Sequence, residues 1–164
     1  LNNFLYDSAQ VGLPTDHVDK ASILRPSKWN FHGIRRFMLI FGTISSLFDV
    51  LTFGVLFWFF HANESAFQTG WFLESLATQV LVIFIVRTRG IPFLHSVPSG
   101  FLIANILLVL AVGWGIALSP LGHIFSFSLL PLSMFLTICG ITIVYLFTVE
   151  IAKRIFEKTV QLES

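Results

Sequence analysis

The first residues of the chain place amide and carboxylate groups at helical spacing. If residues 1–13 form a helix, Asn3, Asp7 and Gln10 stand at i, i+4 and i+7 and share one stripe. The other faces carry apolar residues such as Phe4, as in a helix that lies in a bilayer or a packed bundle. Oxygen ligands without sulfur or imidazole favour a hard cation such as Mg²⁺ or Ca²⁺. An Asn and an Asp four residues apart also occur in ordinary helices, so a structural role stays open at this point.

Pro14 predicts the end of this helix. Proline has no N–H to donate to the carbonyl of Gln10, and it disfavours helical geometry at Leu13. The freed carbonyl would add one more oxygen near the stripe. Because the chain starts inside this predicted helix and without Met, we expect a C-terminal fragment of a longer polypeptide.

The composition indicates a membrane protein. Hydrophobic residues make up 55% of the 164 residues, charged residues only 12%, and nineteen residues are Phe, whereas about a quarter of a soluble domain is charged. A net charge of +1 gives no support to nucleic-acid binding. The single cysteine, Cys139, excludes an intramolecular disulfide and a site built from several thiolates.

The apolar runs predict an all-α membrane protein. We expect a polytopic helical bundle that contains the inner half of one transmembrane helix and four full transmembrane helices, each long enough for about 30 Å of hydrocarbon. The predicted segments are an inner half-helix at 1–13, a cytoplasmic linker at 14–36, a four-helix support domain at 37–149 and a charged helical tail at 150–164. Within the support domain the spans are placed at 37–60, 67–86, 101–118 and 129–149.

The positive charges predict the orientation of these spans. All ten Lys and Arg residues lie in the linker, in the loop that contains Arg87 and Arg89, or in the tail. With four crossings after the linker, these three regions share one side of the membrane. The positive-inside rule predicts that this side is the cytoplasm.

Three carboxylates fall within the predicted spans: Asp7, Asp49 and Glu74. An acid that faces lipid costs about 2.5–3.5 kcal/mol even on lenient scales, so such residues usually face a cavity or an ion path. Asp49 has hydroxyl groups nearby in sequence, including Ser45 and Thr52, and these favour a structural hydrogen-bonded knot between helices.

Glu74 allows two interpretations. It lies near the outer end of its span, where it would reach water or a neighbouring helix. With Ser75, Thr78 and Gln79 close in sequence, it would also complete a cation site.

Six motifs follow one another along the chain: Asn3-Phe4-Leu5-Tyr6-Asp7, Pro14-Thr15-Asp16, Arg35-Arg36-Phe37-Met38, Ser45-Ser46-Leu47-Phe48-Asp49, Gly70-Trp71-Phe72-Leu73-Glu74 and Arg87-Thr88-Arg89-Gly90-Ile91-Pro92-Phe93. In this order they resemble the C-terminal membrane domain of P-type cation-transporting ATPases, and among them the bacterial magnesium-transporting P-type ATPases most of all. The resemblance covers essentially the whole chain, from the inner half of the sixth transmembrane segment through the tenth.

The resemblance implies a metal site between membrane helices. Asn3 and Asp7 match the ion-binding pattern of the sixth segment, Tyr6 stands where calcium pumps carry a ligating Thr, and Glu74 matches a ligating Glu of the eighth segment. The implied transported ion is Mg²⁺, in the cell (inner) membrane. The implied partners are the lipid bilayer and the missing N-terminal part of the same polypeptide, with its first five transmembrane helices and its ATP-binding cytoplasmic domains. The sixth helix is implied to move against the helices that follow it.

The chain itself holds no phosphorylation motif of the Asp-Lys-Thr-Gly-Thr type and no Gly-rich phosphate loop. We therefore expect no ATP hydrolysis by this chain alone. Two alternatives remain besides a magnesium transporter: the same domain of a proton or calcium pump, and a non-enzymatic membrane scaffold.

Overall fold

A computed structural model describes residues 1–16, 31–88, 92 and 97–162. Most of the predicted linker, together with Arg89 and the last two residues of the tail, lies outside the described residues.

The described part of the chain is built from five α-helices. In chain order they are α1 (Asn2–Gln10), α2 (Phe31–Gly54), α3 (Glu64–Val86), α4 (Gly100–Leu118) and α5 (Leu132–Leu162). A π-helical turn at Val55–Phe59 extends α2, and 3-10 turns lie at Leu13–Thr15 and Pro120–Phe125. Helices α2 to α5 are long and apolar enough to cross a membrane. The predicted all-α polytopic bundle is confirmed.

Helix α1 is shorter than predicted. It ends at Gln10 rather than Leu13, and Pro14 lies in the first turn of the 3-10 segment that follows. The side-chain amide of Asn105 donates to the carbonyls of Ser8, at 2.9 Å, and Ala9, at 3.0 Å, which occupies acceptors that a longer helix would use.

Two helices extend beyond the predicted spans. Helix α2 begins at Phe31 instead of residue 37, and α5 continues to Leu162, past the predicted span end at residue 149. Charged residues end the apolar run at these points, but they are good helix formers and continue the helix into water. The tail is therefore helical, as predicted, and continuous with α5.

Helix α3 is the central helix of the bundle. It is the most buried of the four spans and packs against every other helix. Helix α4 approaches it closely at Gly113, where a Cβ atom would lie 2.2 Å from Leu76 Cδ2. Trp114 Nε1 donates to the carbonyl of Leu73 at 3.2 Å. Helices α2, α4 and α5 keep many large apolar side chains exposed, as membrane-facing helices do.

The bundle has a basic end, defined here as the end where α1, α3 and α5 finish and where α2 and α4 begin. Phe37 and Phe156 meet there with ring centroids 5.8 Å apart. At the opposite end, the Ser65 hydroxyl donates to the carbonyl of Ser126 at 2.6 Å, and the N–H of Ser128 donates to Thr69 Oγ1 at 2.9 Å. The ring contact joins α2 to α5 at the basic end, and the two hydrogen bonds join α3 to the segment before α5 at the opposite end.

Candidate intramembrane cation site

Helix α1 presents the predicted stripe on its exposed face. Leu5 and Ala9 are buried in the core, whereas Asn3, Phe4 and Asp7 are exposed. The amide and the carboxylate therefore point away from the helices that pack against α1 in the described structure. Their spacing of one turn keeps both groups on this face.

The amide that reaches the core belongs to Asn2, which the sequence analysis did not single out. Its Nδ2 donates to Ser75 Oγ at 3.1 Å, and Ser75 Oγ also accepts from Gln79 Nε2 at 2.8 Å. Asn2 Oδ1 is buried and has no hydrogen-bond partner in the part of the chain that the structure describes. Asn2 precedes the buried residues Leu5 and Ala9 by three and seven positions, and this helical spacing is the signal that would have found it.

A cavity of about 250 Å³ opens where the start of α1 meets α3. Asn2, Gln68 and Ser75 are its polar lining residues, and aromatic rings, including Trp71 and Phe127, form much of its wall. The cavity is thus lined by amide and hydroxyl groups from both α1 and α3.

Glu74 lies deep in the bundle rather than near water. Its side chain is 1% exposed, and its Oε2 has no hydrogen-bond partner among the described residues. It is close enough to Asp49 of α2 and Tyr145 of α5 for electrostatic interaction. Glu74 thus faces α2 and α5, whereas its neighbour Ser75 faces α1. The structure does not place Glu74 on the exposed stripe of Asn3 and Asp7, and a ligand role for all three remains a prediction.

The predicted hydrogen bonds between helices around Asp49 are present, because its carboxylate is hydrogen-bonded to the side chain of Trp71 on α3. A second link joins α2 to α5: Ser45 Oγ lies 3.0 Å from the hydroxyl of Tyr145, and the ring centroids of Phe48 and Tyr145 are 5.3 Å apart. Thr52 Oγ1 is buried without a hydrogen-bond partner among the described residues. The sequence analysis found Asp49 but missed the link through Tyr145. The sequence could not show this because Tyr145 lies 100 residues from Ser45.

A buried ion pair fixes the C-terminal end of α1. Both carboxylate oxygens of Asp16 accept from the Arg87 guanidinium, with Nη2 at 3.1 Å from Oδ1, and the N–H of Ser99 donates to Oδ1 at 2.8 Å. Gly12 packs so closely that a Cβ atom there would lie 3.0 Å from Leu102 Cδ1. These contacts join α1 to the end of α3 and the start of α4, and thereby set the depth of Asn3 and Asp7.

Within the described residues, no group of three His, Cys, Asp or Glu side chains is arranged to hold a metal ion. A cation bound between the described helices would therefore need amide, hydroxyl or carbonyl oxygens in addition to carboxylates. Such oxygens are the ligands that Mg²⁺ and Ca²⁺ accept.

Acids and amides at membrane depth in a polytopic helical bundle are the features of an ion-transport domain. A sequence profile described as "Cation transporting ATPase, C-terminus" matches residues 1–155. The chain belongs to this family and is the C-terminal membrane domain of a P-type cation-transporting ATPase.

Among known proteins, the chain is similar to a "Magnesium-transporting ATPase, P-type 1" of Salmonella typhimurium (strain 14028s), with 40% identity over 162 residues. It is 38% identical to the protein of that name from Escherichia coli K12. In both cases the alignment covers 96% of this chain and 18% of the relative. The chain thus spans about a fifth of the length of these relatives.

Proposed function

We propose that the chain serves an ATP-driven magnesium transporter, in which it supplies part of the intramembrane cation site and the helices that support it. The orientation of α1 carries this proposal. Asn3 and Asp7 lie on its exposed face, so the packing of the described helices does not use them. An amide and an acid exposed on a membrane helix are costly without a function, and the relatives bear the name of magnesium transporters.

In this proposal Asn3 and Asp7 are direct or water-mediated ligands of the transported Mg²⁺. Mg²⁺ loses its water reluctantly and is often held by one or two carboxylates plus waters. One amide and one carboxylate on α1 suit that mode, because the remaining ligands would come from water or from other segments of the same polypeptide. Glu74 would provide its carboxylate from the side of α3 that faces away from α1.

The remaining parts of the proposal concern orientation and partners. The basic end would face the cytoplasm of a bacterial inner membrane, since the described Lys and Arg residues gather there. ATP binding and phosphorylation would belong to preceding segments of the longer polypeptide. The lipid bilayer would contact the exposed apolar faces of α2, α4 and α5.

Substitutions in the full-length transporter test the proposal. We expect Asn3→Ala and Asp7→Ala to abolish Mg²⁺ uptake into proteoliposomes while expression and thermal stability stay normal. Ser8→Ala is the matched control on the same helix, because the Ser8 hydroxyl only donates to the carbonyl of Phe4, at 2.7 Å. Normal uptake by both site variants would refute the ligand roles. Transport of Ca²⁺ or protons instead of Mg²⁺ by the unmodified protein would refute the choice of ion.

A further inference from the structure

Helices α2, α3 and α5 each carry a deeply buried residue with an unpartnered side-chain oxygen. Thr52 is 0% exposed, Glu74 1% and Thr142 5%, and in each side chain a buried oxygen lacks a hydrogen-bond partner among the described residues. The atoms are Thr52 Oγ1, Glu74 Oε2 and Thr142 Oγ1, and we call them the three-helix oxygen cluster. We propose that this cluster is a second cation-binding site, separate from Asn3 and Asp7, which binds a divalent cation with oxygen ligands.

The packing one turn away places the three residues at about the same level on facing sides of their helices. A Cβ atom on Gly70 would lie 2.9 Å from Leu56 Cδ2 and 3.3 Å from Ile138 Cδ1, so α2, α3 and α5 touch at this level. Helix α2 runs opposite to α3 and α5. One turn toward the basic end therefore leads from Leu56 to Thr52, from Gly70 to Glu74 and from Ile138 to Thr142, each on the same helix face.

A second contact confirms the register of α3 and α5. Lys153 Nζ donates to the carbonyl of Ile85 at 3.1 Å, across a sequence separation of 68 residues. Gly70 and Ile138 have the same separation, and so have Glu74 and Thr142. Because two contacts about four turns apart agree, the level of Thr142 relative to Glu74 does not depend on one local contact.

The two threonines differ from the other helical threonines of the bundle. Thr43, Thr69, Thr78, Thr137 and Thr148 each donate to the carbonyl four residues before them, at 2.7–3.0 Å. This bond is the usual way for a hydroxyl to be satisfied in a membrane helix. The hydroxyls of Thr52 and Thr142 do not make it, and their oxygens stay available inside the bundle.

The charge around the cluster favours a cation. The ionisable groups that interact with Glu74 are Asp49 on α2 and Tyr145 on α5, and Tyr6 on α1 also interacts with Tyr145. Helix α4 contains no ionisable residue. Lys153, the nearest base on α5, lies eleven residues beyond Thr142, which corresponds to about 16 Å along the helix. Among the described residues, no Lys or Arg therefore adjoins the carboxyl groups of Asp49 and Glu74.

A divalent cation would satisfy all three oxygens at once, because each has a lone pair to give. Thr hydroxyls bind Mg²⁺ in other proteins, including phosphate-binding loops, and carboxylates do so in most sites. The cluster would thus give Glu74 a ligand role from the side of α3 that faces away from α1. This inference rests on the proposed transport of a divalent cation and adds a second binding site for that cation.

The test uses the purified full-length transporter without nucleotide and measures how its melting temperature rises with MgCl₂ concentration. We expect Thr52→Val and Thr142→Val each to raise the half-maximal Mg²⁺ concentration about tenfold, equivalent to about 1.4 kcal/mol. The melting temperature without Mg²⁺ should stay equal or rise, because the substitution removes an unsatisfied hydroxyl. Thr52→Ser should restore the Mg²⁺ response.

Thr43→Val and Thr137→Val are the matched controls, since their hydroxyls bond only within their own helix. If Thr52→Val and Thr142→Val respond to Mg²⁺ like these controls, the cluster is not a cation site. A lower melting temperature with an unchanged Mg²⁺ response would also overturn the inference, because it indicates a structural hydrogen bond or a buried water. Failure of the proposed function would look different: the unmodified transporter would carry no Mg²⁺.

Discussion

The buried ion pair between Asp16 and Arg87 predicts that α1 is firmly attached at its C-terminal end. Asp16→Ala would remove the carboxylate that pairs with a guanidinium whose side chain is 3% exposed and which also donates to the carbonyl of Val97 at 3.4 Å. It would also remove the acceptor of the Ser99 N–H. Loss of one partner from a buried pair costs about 3–5 kcal/mol. We expect the substitution to lower the free energy of local opening of residues 8–15 by this amount, because the pair holds these residues against α3 and α4.

Amide hydrogen exchange in the full-length transporter measures this opening. Since 1.4 kcal/mol corresponds to a factor of ten, exchange at residues 8–15 should accelerate by about two to three orders of magnitude in Asp16→Ala. The matched control is Arg154→Ala, which breaks the 2.8 Å pair with Glu150 at a side chain that is 51% exposed. Such an exposed pair contributes about 0.3–0.5 kcal/mol. If both variants exchange at similar rates, the pair does not hold α1.

A double substitution distinguishes the loss of the contact between Asp16 and Arg87 from the cost of leaving a buried charge without its counter-ion. Asp16→Leu combined with Arg87→Leu removes both charges, and apolar pairs of similar volume often replace a buried ion pair without loss. The double variant should therefore exchange more slowly at residues 8–15 than Asp16→Leu alone. Faster exchange in the double variant would contradict the explanation by an unpaired buried charge.

Two further predictions concern the packing around α3. Gly113→Leu should lower the melting temperature, because a Cβ atom there would lie 2.2 Å from Leu76. Overpacking of this kind lowers the free energy of unfolding by about 1–3 kcal/mol. Gly115→Leu on the same helix is the control and should have little effect, because nothing lies within 4 Å of its Cβ position. Lys153→Met should destabilise the basic end by about 1.5–3 kcal/mol, because it removes a charged donor to the carbonyl of Ile85 and an ion pair of 2.8 Å with Glu150. Hydrogen exchange at the end of α3 measures the loss. Equal melting temperatures for the two glycine variants, or unchanged exchange in Lys153→Met, would contradict these explanations.

The sequence was sufficient for the number and the class of the helices. Four apolar runs separated by charge, Gly and Pro leave few alternatives, since only helices with satisfied backbones cross a bilayer as single segments. Helix ends were less predictable. Arg35 and Arg36 end the hydrophobic run of α2 but not the helix, and the side chain of Asn105, distant in sequence, takes the last carbonyls of α1.

The candidate site shows where the sequence pattern stops being informative. Spacing correctly put Asn3 and Asp7 on one face, because the geometry of a single helix fixes that relation. Which neighbour each face meets depends on packing. That Glu74 faces α2 and α5 while Ser75 faces α1, and that Asn2 reaches α3, could not be predicted from the spacing of residues along one helix. The separation of the three-helix oxygen cluster from the stripe of α1 is therefore visible only in the fold.

The contacts at the C-terminal end of α1 provide a point around which the helix can tilt. Asn3 lies nine residues, or about 14 Å, from Gly12, where the chain packs on α4. A tilt of about 10° around that point would carry Asn3 through about 2 Å, which is the length of one bond between Mg²⁺ and oxygen. In the proposed cation site, such a small tilt would carry Asn3 into or out of the coordination shell of the ion. It would break the bond of 3.1 Å between Asn2 Nδ2 and Ser75 Oγ and leave the bonds of Asn105 and Arg87, near the other end of α1, in place.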